Sequence, residues 1–98
     1  MYIELPAGKG FTIYSKSFCI NCDNIKKLLD DNKLEYNIIN CDNYLNENKD
    51  FFLEFMKLIT RQEFKMFPIV FNNQKFIGGY KDAVNEIHRI CFDIEDNF

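Results

Sequence analysis

No stretch of this 98-residue chain approaches the run of about 18 apolar residues that a membrane-crossing helix needs, so no transmembrane helix is expected. It has no long basic run, and its formal net charge is −3. Both argue against nucleic-acid binding, which calls for a positive patch. Met1 to Gly10 lack the basic-then-apolar pattern of a secretory signal. The expectation is a protein that stays in a thiol-reducing cytoplasm. Trp is absent, and Phe dominates the aromatic residues with 11 copies. Internal repeats and linker-like stretches are also missing, so residues 1–98 read as one domain able to bury one core. With 47% hydrophobic and 28% charged residues the balance is that of a globular chain, which disfavours disorder.

Four cysteines are present, at Cys19, Cys22, Cys41 and Cys91. In a secreted mini-protein they would suggest a structural disulfide framework. In a chain with no export signal, the close pair Cys19-Ile20-Asn21-Cys22 reads instead as redox-active or metal-binding. Zinc typically takes four ligands, and Cys41, Cys91 and His88 offer no second paired spacing, so the redox reading leads.

The apolar pattern orders the chain. Residues 1–10, with Pro6, Gly8 and Gly10, read as a loose lead-in. Phe11-Thr12-Ile13-Tyr14 is β-branched and aromatic and reads as a buried strand. From Ile20 to Asn32 the period becomes helical, with Cys22, Ile25, Leu28 and Leu29 on one face. Tyr36 to Ile39 is a second strand, and Cys41 to Asn48 a polar connection. Asp50 is the expected N-cap of a helix over 51–60, with Phe51, Phe52 and Phe55 in the core. Phe67 to Phe71 is strand three and Asn72-Asn73, with Gln74, a hairpin turn. Lys75 to Ile77 is strand four, Gly78-Gly79 a break, and 81–92 a last helix with Val84, Ile87, Cys91 and Ile94 on one face. Cys41 and Cys91 read as small apolar core residues, His88 as a surface residue, and Asp93 to Phe98 as a solvated end.

The resulting order β-α-β-α-β-β-α makes a parallel pair joined by a crossover helix and closed by an antiparallel hairpin. This is an α/β, thioredoxin-like fold: a four-stranded mixed sheet flanked by helices. It puts Cys19 at a helix N-terminus, where free N–H groups and the helix dipole stabilise a thiolate. In such motifs a cysteine pKa falls from roughly 8.5 to between about 3.5 and 7.5. Cys22 lies one turn on, within reach of Cys19. Attack by Cys19 gives a mixed disulfide that Cys22 then resolves.

Three segments together resemble the glutaredoxin family. Tyr14-Ser15-Lys16-Ser17-Phe18-Cys19-Ile20-Asn21-Cys22 is similar to its Ser-Lys and Cys-Pro-Tyr-Cys element. Met66-Phe67-Pro68 resembles its Thr-Val-Pro, and Gly78-Gly79-Tyr80-Lys81-Asp82 its Gly-Gly-x-x-Asp. The resemblance implies a glutathione-dependent thiol–disulfide oxidoreductase with Cys19 as nucleophile and Cys22 as resolving cysteine. It implies that Lys16 approaches the glycyl carboxylate of glutathione, with Lys65 where the family often has an Arg or Lys on the same side. The Phe67 backbone would pair with the cysteinyl part, next to a cis Pro68. Gly79, Tyr80 and Asp82 would take the γ-glutamyl end. Implied partners are glutathione and glutathionylated or disulfide-bonded proteins, with ribonucleotide reductase one candidate, and the chain is expected to be a monomer with no resident metal. Ile20 and Asn21 depart from the family's Pro and Tyr. Members without that proline sometimes share a [2Fe–2S] cluster between two subunits, so an iron–sulfur-binding glutaredoxin is the alternative, as is an electron donor to ribonucleotide reductase.

Overall fold

The computed structural model describes the backbone of residues 1–95 and the side chains of residues 1–91. Its elements run β1 (Phe11–Ser15), α1 (Ile20–Asp31), β2 (Tyr36–Asn40), α2 (Asp42–Thr60), β3 (Ile69–Asn72), β4 (Lys75–Gly78) and α3 (Tyr80–Glu95). The strands form one mixed sheet in the order β2-β1-β3-β4. β1 and β2 are parallel, with Ile13 opposite Ile38, as a strand–helix–strand crossover requires. β1–β3 and β3–β4 are antiparallel, the latter with an irregularity at Val70/Phe71.

β1 is central and every one of its residues is buried. Side chains alternate across a strand, so β1 feeds two cores. Phe11 and Ile13 join Val70, Ile25, Leu29, Ala83 and Ile87 on the face covered by α1 and α3. Tyr14 joins Ile69, Phe71, Ile39, Cys41, Phe52 and Met56 on the face covered by α2. The expected thioredoxin-like α/β architecture is therefore the one observed.

Several details differ from the sequence reading. Residues 1–10 are a strap rather than a loose lead-in. Ile3 is only 4% exposed within the α2-side core. The Tyr14 hydroxyl donates to the Glu4 carbonyl at 2.6 Å, and the Ala7 N–H donates to Thr12 Oγ1 at 2.9 Å. Helix α2 begins at Asp42, not Phe51, because the Asn-rich stretch is helical up to a break at Asn48 (φ −159°, ψ 84°). There Asn48 Oδ1 accepts the Phe51 N–H at 3.0 Å, so Asn48 and not Asp50 caps the second stretch. Phe52 is fully buried and Phe55 half-buried, but Phe51 is exposed. Strand β3 starts at Ile69, since Phe67-Pro68 is a cis peptide bond ahead of the ladder. The hairpin turn is centred on Asn73 and Gln74, both at positive φ (51° and 70°).

Cys41 is fully buried, as expected. Cys91 is half-buried against the α1/α3 core, and its thiol lies 3.3 Å from Asn32 Oδ1, so it belongs to the core margin rather than its centre. His88 is exposed. Ile94 and the tail from Asp93 to Phe98 lie outside the described side chains.

Candidate active site

β1 ends at Ser15, and the chain must turn before α1 can pack back across the sheet. The turn is held at one point: both the N–H and the hydroxyl of Ser17 donate to the Asp42 carboxylate at the start of α2. Those bonds hold the Asp42 carboxyl below its ordinary range, with the Ser17 hydroxyl the largest cause. Phe18 follows at φ 57° with its ring fully in solvent, and Cys19 is then the N-cap of α1. Its carbonyl accepts from the Asp23 N–H at 3.2 Å, and its Sγ accepts from the Cys22 N–H at 3.2 Å. The sulfur thus occupies the place of an N-cap oxygen, facing backbone donors at the positive end of the helix.

The two cysteines are unequal. Cys19 is half-buried and accessible, whereas Cys22 is fully buried. Burial pushes the Cys22 thiol above its ordinary pKa, and its hydrogen bond with the Cys19 side chain adds to the shift; the Lys16 backbone and Ser15 hydroxyl oppose it. Burial thus favours the neutral thiol at Cys22, one turn behind the accessible Cys19. Cys41, behind Ser15, is pushed up to about 12, chiefly by burial. It is a core thiol without nucleophilic character.

Around this pair the structure gathers the other expected residues into two grooves separated by Phe67, which lines both. On the α3 side a groove of about 290 Å³ is lined by Asn21, Phe64, Met66, Phe67 and residues 79–82, which include Gly79, Tyr80 and Asp82. On the α2 side a groove of about 580 Å³ holds Lys16 and Lys65. Lys16 Nζ stands 5.5 Å from the centroid of the Phe67 ring, and Lys65 Nζ lies 3.8 Å from Glu63 Oε2. Pro68 is fully buried, and its cis bond is the one expected. Among the described residues, no three His, Cys, Asp or Glu side chains are grouped to hold a metal ion, and no helix is long and apolar enough to cross a membrane.

Sequence reasoning singled out Gly79, but the glycine the backbone requires is Gly78. It sits at φ +138°, and a Cβ there would collide with the Asp82 side chain. Two adjacent glycines in a sequence do not say which carries the unusual φ. At Gly79 a Cβ would press on the rim of the Phe64 ring, at 3.1 Å, and meet the Pro68 carbonyl at an ordinary 3.7 Å. Gly78→Ala is expected to cost about 1–3 kcal/mol for the backbone conformation alone. The collision with Asp82 adds to that cost. Gly79→Ala should cost less, because the ring can move aside. Urea midpoints measure both; a Gly79→Ala loss larger than that of Gly78→Ala would refute the assignment. Asp42 was also missed, since nothing local marks a residue that acts on a loop 25 positions away.

A half-exposed thiol capping a helix and a buried thiol one turn on, in a chain whose Phe67-Pro68 bond is cis, define a thiol–disulfide oxidoreductase of thioredoxin-like fold. The glutaredoxin family model matches residues 11–77, and the chain belongs to that family. No curated protein sequence matches it significantly. Glutaredoxin 1 from Francisella tularensis, solved with cacodylate, superposes with a TM-score of 0.71 at 19% identity, over 83% of this chain and 94% of that one. The buckwheat glutaredoxin–glutathione complex gives 0.63 at 33% identity, over 81% and 67%. The holo form of glutaredoxin C1 from Populus tremula x tremuloides gives 0.66 at 23%, over 83% and 76%.

Proposed function

We propose that this protein reduces protein disulfides and glutathione mixed disulfides at the Cys19/Cys22 pair, with glutathione as the reductant. The observation that carries the proposal is the inequality of the two thiols: an accessible sulfur that accepts the Cys22 N–H at the start of α1, and a fully buried one a single turn behind it whose pKa burial raises.

The Cys19 thiolate attacks one sulfur of a disulfide. That S–S bond breaks, a Cys19–S–S bond forms, and the other sulfur leaves as a thiolate that takes a proton from water. With a glutathionylated substrate, attack falls on the glutathione sulfur and the repaired thiol leaves. A second glutathione thiolate then attacks the mixed disulfide, giving oxidised glutathione and free Cys19. With a protein disulfide, Cys22 loses its proton and attacks the Cys19 sulfur. The substrate leaves fully reduced, and two glutathiones reduce the Cys19–Cys22 disulfide in turn.

In this reading the glycyl carboxylate of glutathione meets Lys16 and Lys65, and its cysteinyl backbone pairs with that of Phe67 ahead of Pro68. The γ-glutamyl carboxylate meets the N–H groups of Gly79 and Tyr80 at the start of α3, and Asp82 accepts from its amino group. That a 33% identical relative was solved as a glutathione complex supports glutathione as the ligand.

The test is a coupled assay with glutathione, glutathione reductase and NADPH on a small glutathione mixed disulfide. Wild type should turn over. Cys22→Ser should retain this activity, which needs one thiol, and lose most reduction of protein disulfides. Turnover driven by thioredoxin reductase but not by glutathione would overturn the proposal.

A further inference from the structure

The α2-side groove is larger and more cationic than one glycyl carboxylate requires. Its lining is Lys16, Lys49, Lys65 and Asp50 over an apolar floor of Leu45, Leu53 and Phe67. Three lysines and a single carboxylate residue thus line it, in a chain whose formal net charge is −3. Lys16 and Lys65 suffice for a single carboxylate. Lys49 also lines the groove, and it follows the break at Asn48, which starts the second stretch of α2 with Lys49 and Asp50. Among the described residues neither Lys49 nor Lys16 makes an ion pair, and Lys65 makes only a long, exposed one.

The geometry points to this groove as the receptor for the polypeptide that follows the reactive cysteine of a protein substrate, with a preference for acidic residues there. The inference rests on the glutathione-linked reading above. In glutathione a glycine follows the cysteine and ends the chain; in a protein the chain continues. A substrate strand paired with the Phe67 backbone, as the glutathione cysteinyl is, therefore runs past Lys16 and along α2 toward Lys49. At about 580 Å³ the groove has the size of a binding cleft for several groups. Its floor takes the methylene stems of Asp or Glu while their carboxylates meet lysines, whose flexible point charges suit carboxylates of varied position. Asp50 in the lining and the net charge of −3 weigh against a nucleic-acid occupant.

The chemistry is the exchange already described. Cys19 attacks the substrate sulfur, the substrate's other sulfur leaves as a thiolate, and the mixed disulfide holds the substrate strand in the groove until Cys22 displaces it. The groove acts on which strand is accepted.

The experiment uses homodimeric peptide disulfides, each peptide carrying one cysteine, with Asp-Glu or Lys-Lys placed after it or Asp-Glu placed before it. At low ionic strength wild type should favour the peptide with acids after the cysteine by about fivefold in kcat/KM over the basic one, carried mainly by KM. High salt should compress that ratio. Lys49→Glu should bring it to about one or reverse it. Acids before the cysteine should gain little. Equal rates for acidic and basic peptides, an equal gain from acids on either side, or a ratio indifferent to Lys49→Glu would each overturn the inference. Wild-type turnover of a neutral small disulfide with glutathione, run alongside, shows separately whether the underlying reading holds.

Discussion

Cys19→Ser is expected to lower disulfide-exchange turnover by roughly a thousandfold or more while leaving the fold intact. The two halves of this result have different physical sources. The reacting species is a thiolate, and a serine hydroxyl does not ionise at working pH, so the covalent step is lost. The capping role survives. Cys19 is the N-cap of α1, its sulfur accepts the Cys22 N–H, and serine is among the strongest N-cap residues. Thermal stability should therefore stay level or rise slightly. Cys19→Ala separates the two roles, since it should be equally inactive and also lose about 1 kcal/mol of helix stability. Turnover is read in the glutathione-coupled assay and stability from urea midpoints. Residual activity of Cys19→Ser above a few per cent would mean that another thiol carries the exchange.

Phe52→Ala is expected to have the largest effect on stability, about 3–5 kcal/mol, out of a total of about 5–15 kcal/mol for a small domain. Phe52 is fully buried and sits in a stack of three rings. Its centroid lies 5.7 Å from that of Tyr44 and 6.0 Å from that of Phe67, with interplanar angles of 16° and 11°. Truncation removes the transfer energy of the ring and leaves a cavity under Phe67. Phe67 is the wall between the two grooves, so the glutathione KM should rise as stability falls. Phe51→Ala is the control: its ring is 45% exposed, and its loss should stay within about 0.5 kcal/mol. The midpoints of urea unfolding at constant slope distinguish the two. Comparable losses at Phe51 and Phe52 would contradict the packing described here.

Much of this was readable from residue type and period. Phe11 to Tyr14 could only be a buried strand, and the three-and-four spacing of Cys22, Ile25 and Leu29 fitted one helix face. The ordered segments around Cys19, Pro68 and Gly79 carried the family. What escaped notice depended on contacts distant in sequence or on backbone angles. Asn is a poor helix former, so 41–48 reads as a loop; Tyr44 and Leu45, packed against the α2-side core, outweigh that propensity. Phe51 and Phe52 are chemically identical, and only the true start of the second stretch of α2, set by the Asn48 cap, decides which faces inward. Ile3 lay among Pro and Gly residues that suggested looseness, and it is held beside Glu4, whose carbonyl accepts from the Tyr14 hydroxyl and whose N–H donates to that of Tyr44. Nothing in the sequence marks Lys49, which lines the same groove as Lys16.

The strap of residues 1–10 bears on how this protein can be joined to others. The segment that carries the family match, 11–77, is not a graftable module. It omits Ile3 on one face of the sheet, and Ala83 and Ile87 on the other, so excision would leave both cores open. Gly10 and Asn73 also exchange hydrogen bonds, the Gly10 N–H to Asn73 Oδ1 at 2.7 Å and the Asn73 N–H to the Gly10 carbonyl at 3.0 Å. The strap and the β3–β4 turn therefore brace one another, at the end of the sheet opposite Cys19. A fusion partner belongs ahead of Met1, on a linker slack enough to leave Ile3 seated, and a splice placed at Phe11 would unlatch the hairpin along with the strap.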